Sequence, residues 1–150
     1  MASAHFRAGV VIVVRHPDLT QVMAFERMDS PGSWQLPQGG MKAGETPEEA
    51  AWRELGEETG LGPSAVIARA EFPEWVVYEW PDDVKAANGG SHHRLGQVQR
   101  WFLFDVLAAD VEPVPDGREF GAWKWVDPSW LLAHVPDWRR SSYERVLPTL

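Results

Sequence analysis

The sequence predicts a single α/β domain with a mixed β-sheet between helices. Three observations carry that expectation. The β-branched run at 7–15 reads as a buried strand, and 98–106 as a strong one. A helical segment with start and stop signals, Pro47–Thr59, lies between them. A chain of 150 residues, 44% apolar and 24% charged, is of a size and composition to close one globular core over residues 1–150. No internal repeat, low-complexity tract or linker divides it.

The elements follow in order. After the strand at 7–15, His16-Pro17-Asp18 is a turn, and 21–27 reads as a second strand. Asp29-Ser30-Pro31-Gly32 turns again, and 33–37 leads in extended form to Gln38-Gly39-Gly40. The paired glycines would let backbone approach a ligand closely; a turn needing positive φ is the plainer use, and the two are compatible. Thr46-Pro47-Glu48-Glu49 reads as a capping box with proline at the first helical position, and Gly60-Leu61 as a C-terminal stop. Strands are expected at 65–70, 75–80, 98–106 and 121–126. Residues 81–97 read as a long loop. Asp127-Pro128 starts a helix to about His134, and Asp137 caps a last one through Arg145. Most of the nine tryptophans are expected in the core or packed on the sheet. Trp138 differs, because Arg139 and Arg140 follow it, and an aromatic beside a cation is how proteins stack on nucleotides.

The chemistry concentrates in the helix at 47–59. Glu54, Glu57 and Glu58 share one face, because three- and four-residue spacings bring side chains together. Like charges on one arc repel, and a helix built only for solubility would interleave lysines. Arg53 is the available cation and reaches Glu57 at i+4. Such a cluster suits a hard divalent cation such as Mg²⁺, which takes oxygen ligands and completes its shell with substrate phosphates. The plain alternative is a solvated acidic face. His92-His93 has no third ligand at a suggestive spacing and reads as solvated.

The net charge is −8, and the six Glu against Lys42 and Arg53 between Gly39 and Leu61 supply half of it. An acidic chain argues against non-specific nucleic-acid binding, DNA included. With no cysteine there is no disulfide or thiolate metal site, which suits a cytoplasmic protein. The apolar run near the N-terminus is too short for a membrane span or signal core.

The stretch GGMKAGETPEEAAWRELGEETGL (39–61) matches the Nudix box at all nine fixed positions, and the chain resembles the Nudix hydrolases. Further segments resemble the branch holding bacterial RNA pyrophosphohydrolases and plant-type asymmetric diadenosine tetraphosphate hydrolases. They are Phe6-Arg7, SWQLPQGG (33–40), WVVY (75–78), GQVQRWFLF (96–104), REFGAWKWV (118–126) and the closing Trp138-Arg139 with Tyr143. The resemblance implies a Nudix α/β/α sandwich and metal-dependent hydrolysis of a nucleoside polyphosphate, with Mg²⁺ as cofactor and Mn²⁺ as substitute. It implies that Glu54 and Glu58 ligate metal, that Glu57 ligates metal or activates water, and that Arg53 orients a glutamate. A carbonyl at Gly39 or Gly40 would complete the shell, and Glu119 would be a further ligand or base. Arg7, Arg27, Tyr78, Trp138 and Arg139 match substrate-side positions.

Gly56 within the helix, Glu26 beside Arg27 and Glu79 after Tyr78 depart from the branch. The last two make the chain less basic than the RNA enzymes. Residues 138–150, at +2, are expected to form a small cationic, aromatic patch for one base and its phosphates. The substrate order expected is therefore a dinucleoside polyphosphate of the diadenosine tetraphosphate type first and the 5′-triphosphate end of RNA second. Free nucleoside triphosphates are a weaker option. A non-catalytic nucleotide-sensing domain is the alternative of another class.

Overall fold

A computed structural model describes residues 5–87 and 94–150 of the chain. The expected histidine pair, His92-His93, lies outside them. Eight strands form one mixed sheet: β1 (His5–Arg15), β2 (Val22–Arg27), β3 (Trp34–Gln35), β4 (Gln38–Gly40), β5 (Val66–Glu71), β6 (Val76–Glu79), β7 (Arg94–Val106) and β8 (Phe120–Val126). The backbone of the sheet is ordered β3-β2-β1-β7-β5, and β1 pairs with β7 in parallel while every other pairing is antiparallel.

The period-2 geometry of β1 divides the core into two layers. Val10, Ile12 and Val14 face α1 (Pro47–Thr59) and pack with Ala50, Ala51, Leu55, Phe102 and Phe104. Val11 and Val13 face the other way, toward α3 (Pro128–His134) and α4 (Asp137–Val146), and pack with Leu131, Tyr143, Val146 and Leu147. A strand buried on both faces must be apolar throughout, so β1 reads as an unbroken run of valines and isoleucine rather than an alternation. The result is the expected α/β/α sandwich.

Two local expectations change. Residues 81–97 are not one loop: α2 (Asp82–Ala87) opens the segment and β7 already begins at Arg94. Asp82 and Asp83 suit the positive end of α2, and Lys85 bonds Glu79 at 2.7 Å. Asp137 is the first residue of α4, with Pro136 at the cap, and pairs with Arg140 at 2.7 Å. Most of the nine tryptophans lie where expected: Trp80 and Trp101 are buried, Trp52, Trp123, Trp125, Trp34 and Trp130 pack against the two core layers, and Trp75 is exposed. The packed ones act as rims over the core, as Trp52 does edge-on to Phe104. Among the described residues, no helix is long and apolar enough to cross a membrane.

β6 is clamped to β7 at Gly96. A Cβ there would collide with the carbonyl oxygen of Tyr78 and stand 2.8 Å from the Cα of Glu79. Both are backbone, so neither can swing aside. Gly96→Ala is expected to lower stability by about 1–3 kcal/mol, read as an earlier urea midpoint. An unchanged midpoint would contradict this strand placement.

Candidate active site

One side of the site is α1 laid against β4. Thr46 and Glu49 form the reciprocal capping box, Pro47 starts the helix, and Gly60 ends it in the left-handed region at φ 71°. This phase turns Glu54 and Glu58, one helical turn apart, toward β4, where they are 8% and 4% exposed. Gly39 is the surface they meet. Its backbone is not at positive φ. The residue is needed for space, because a Cβ there would overlap the Glu54 carboxylate. The backbone N–H of Gln38 donates to Glu58 at 3.1 Å.

Arg53 ties the assembly together. It donates to both oxygens of Glu45 at 2.6 and 2.8 Å, to the Gly40 carbonyl at 2.8 Å, to Glu54 at 2.7 Å and to Glu57 at 3.4 Å. The sequence reading gave it one glutamate to orient; it holds three. Glu45 had no assigned part, although its fixed place eight residues before Arg53 in the box was the available signal. Arg53 pulls the Glu45 carboxyl down to about 2. Glu57 stays at the rim, with 54% of its side chain exposed.

Glu119 comes from the other end of the chain but is moored to the same helix. Asp116 accepts the N–H groups of Arg118, Glu119 and Phe120 at 2.9, 3.0 and 3.1 Å. The Asp116 and Val114 N–H groups in turn donate to the carbonyls of Glu58 and Thr59 at the end of α1. Asp116, absent from the sequence reading, thus brings Glu119 within hydrogen-bonding contact of Glu58. Burial, then the charges of Glu119 and Glu54, push the Glu58 carboxyl up to about 10. Burial also raises Glu54, against the pull of Arg53.

Two carboxylates in hydrogen-bonding contact need a shared proton or a cation between them. Among the described residues, no three acidic or histidine side chains are arranged to hold a metal ion by themselves. The donor set therefore fits an oxygen-seeking divalent ion that takes one or two carboxylates and completes its shell with waters and substrate. A pH dependence follows. The raised Glu58 carboxyl keeps its proton in the folded chain while the unfolded chain releases it. Its contribution to stability is full below the unfolded carboxyl value and lost as pH rises toward 10. A divalent ion bound there would take the proton's place, so the rise in Tm on adding Mg²⁺ or Mn²⁺ should be larger at pH 9 than at pH 6. A metal-induced shift equal at both pH values would contradict it.

These groups line an open cleft of about 1350 Å³ that crosses the end of the sheet from α1 to α4. Arg7, Arg27, Trp138 and Arg139 also line it. Arg7 lies over Gly40, where a Cβ would take its place. Arg27 is fixed by a two-pronged bond to Asp29 and a bond to Gln35 at 3.0 Å. Arg139 is 5% exposed, and its carbon Cζ stands 4.3 Å from the ring centre of Trp138.

Two expectations need correction. Tyr78 does not line the cleft; it is 5% exposed and stands behind Arg139, accepting its N–H at 3.2 Å. The closing arginines do not form one patch. Arg140 bonds the Leu132 carbonyl at 2.8 Å, and Arg145 pairs with Glu74 at 3.2 Å over the ring of Phe72. Only Arg139 of the three lines the cleft. Helical phase explains this, since residues 139, 140 and 145 point in different directions around α4.

The profile of the family described as the NUDIX domain matches residues 5–150. The RNA pyrophosphohydrolase of Cereibacter sphaeroides is 39% identical over 144 residues, which cover 94% of this chain and 86% of the relative. That of Rhodospirillum rubrum is 38% identical over 151 residues, covering 99% and 89%. The structure of a C. elegans Ap4A hydrolase in a binary complex superposes with a TM-score of 0.67, covering 94% of this chain and 96% of its own. At 17% identity that likeness is one of fold.

Proposed function

The chain belongs to the NUDIX family and is a pyrophosphohydrolase, and from that premise we propose that it removes pyrophosphate from the 5′-triphosphate end of RNA. This reverses the substrate order expected from the sequence. The Cereibacter sphaeroides and Rhodospirillum rubrum relatives, which match nearly the whole chain, carry the RNA name, whereas the Ap4A hydrolase shares the fold at low identity. The intact box and relatives named as pyrophosphohydrolases support catalysis over the non-catalytic sensing alternative. A cytoplasmic location goes with the RNA substrate.

The observation that carries the reading is the one-sidedness of the cleft. Carboxylates crowd its α1 side, and at the α4 side Trp138, with Arg139 beside it, offers a half-buried ring to a base, while Trp80, the other indole in the lining, is buried. A dinucleoside has two bases to seat; an RNA end needs one seat and an open exit.

In this reading water attacks one phosphorus in line, the phosphoanhydride bond breaks, and pyrophosphate leaves RNA with a 5′-monophosphate. The chain's work is positioning and charge neutralisation. Glu54 and Glu58, with Glu119 and the Gly39 or Gly40 carbonyl, would hold divalent ions, Mg²⁺ or Mn²⁺. Such ions lower the pKa of bound water and neutralise phosphate oxygens. Glu57, exposed at the rim and kept near Arg53, would take the proton of the attacking water, and Glu119 is the other candidate. Arg7 and Arg27 face the anionic chain.

The test is competition between 5′-triphosphorylated RNA and diadenosine tetraphosphate. Higher kcat/KM is expected for the RNA; the opposite order would return the dinucleoside reading to first place. Trp138→Ala should raise KM by an amount corresponding to about 1–3 kcal/mol, the worth of stacking on one base. The Tm shift produced by metal should stay as in the parent protein. An unchanged KM would remove Trp138 from the nucleotide seat.

A further inference from the structure

Between the carboxylates and the Trp138 seat lies a set of buried amides with no part yet in the reaction. Gln38 and Gln97 line the cleft; Gln99, 1% exposed, does not. The Gln99 amide nitrogen donates twice, to Oε1 of Gln97 at 2.7 Å and to Oε1 of Gln38 at 3.2 Å. A nitrogen donor requires an oxygen opposite it, so both partners turn their oxygens toward Gln99 and their own nitrogens away.

For Gln38 that direction leads toward the Tyr78 hydroxyl, on whose acidity its side chain acts. For Gln97, which lines the cleft and gives its oxygen to Gln99, the nitrogen is the end left to face the cleft. Gln97 sits across from Arg7 on one side and Tyr78 on the other in the strand register. Gln38 holds Glu58 through its backbone, and Tyr78 holds Arg139. One buried amide thus fixes the side chains of two residues whose neighbours reach both ends of the cleft.

We infer that Gln99 is a positioning residue, presenting the Gln97 amide as a hydrogen-bond donor to a phosphate oxygen of the substrate. The inference rests on the cleft being a polyphosphate site. An unanchored carboxamide would offer its oxygen or its nitrogen, and an oxygen facing phosphate repels it. Anchoring removes the wrong orientation before substrate arrives. If Gln99 only filled space, methionine, of similar volume and flexible, would replace it without kinetic effect.

The test is steady-state kinetics of Gln99→Met, Gln97→Met, the double variant and Gln99→Glu. The substrate is triphosphorylated RNA, with diadenosine tetraphosphate run in parallel. Gln99→Met should raise KM about fivefold or more with kcat within threefold. Gln97→Met should raise it at least as much, and the double variant no further, because the first residue acts through the second. Gln99→Glu should raise KM most, since a carboxylate can only accept and would turn the Gln97 oxygen into the cleft. The Tm shift with Mg²⁺ should persist in all four. A parental KM in Gln99→Met, additive losses in the double variant, or loss of the metal shift would each overturn the inference. Hydrolysis of the dinucleoside alone would instead reject the RNA reading, and the same KM comparison would be made on that substrate.

Discussion

Glu58→Gln is expected to lower kcat by about 10²-fold or more, the usual scale for removing a group that places charge against the transition state. The distinguishing feature is what happens to the fold. Glu58 is 4% exposed and lies near Glu119 and Glu54, so the metal-free protein must hold a proton there to fold, a burden that grows with pH. A neutral amide relieves that burden and still accepts from the Gln38 N–H. The variant should therefore melt no lower than its parent in chelator, and should lose most of the Tm gain on adding Mg²⁺. Glu48→Gln, on the exposed first turn, is the control and should keep activity within about twofold. A Glu58→Gln protein with parental kcat, or a Glu48→Gln protein equally impaired, would refute this assignment of the helix face.

Arg53→Lys is expected to cost about 10- to 100-fold in kcat/KM although the positive charge is kept, the scale seen when an outer partner of a metal site is removed. The reason is geometric. Arg53 uses Nε and Nη2 on Glu45, Nη2 also on the Gly40 carbonyl, and Nη1 on Glu54 and Glu57. A lysine ammonium is one point with three donors and cannot span β4, the 42–45 turn and the helix together. Glu54 and Glu57 should lose their fixed positions, so the concentration of Mg²⁺ needed for half-maximal activity should rise. A lysine variant with the parental metal requirement would show that charge alone suffices at this position.

What was legible in the sequence is what is local. The bounds of α1, its capping box, its left-handed stop at Gly60 and the shared face of Glu54 and Glu58 depend on residues within a turn or two of each other. The strand positions and the two-sided burial of β1 followed from composition for the same reason. What was not legible depends on long-range closure. Nothing in the order of residues says that Gln99 would reach Gln38, 61 positions away, or that Tyr78 would stand behind Arg139, also 61 positions away. The paired glycines were read as a turn or a ligand approach. They are strand residues whose missing side chains make room for Glu54 and Arg7. The patch expected of the closing arginines failed because counting charge along a segment ignores the direction in which a helix points each side chain.

The parallel pairing of β1 with β7 has a consequence for how the molecule is made. Arg15 bonds Asp105 across that pair, ninety positions along the chain, and the register is continuous from Phe6↔Gly96 to the same two residues. While the ribosome is still producing α1 and β5, the most apolar strand has no neighbour on that side. Its central ladder closes only after β7 has emerged. Contacts of such separation slow folding, because loop-closure entropy is lost before the ladder forms. The glutamates of α1 thus exist as a helix-forming segment before there is a sheet to bury them. Refolding by dilution should show early helix formation by circular dichroism and a later change in Trp101 fluorescence as β7 docks on β1.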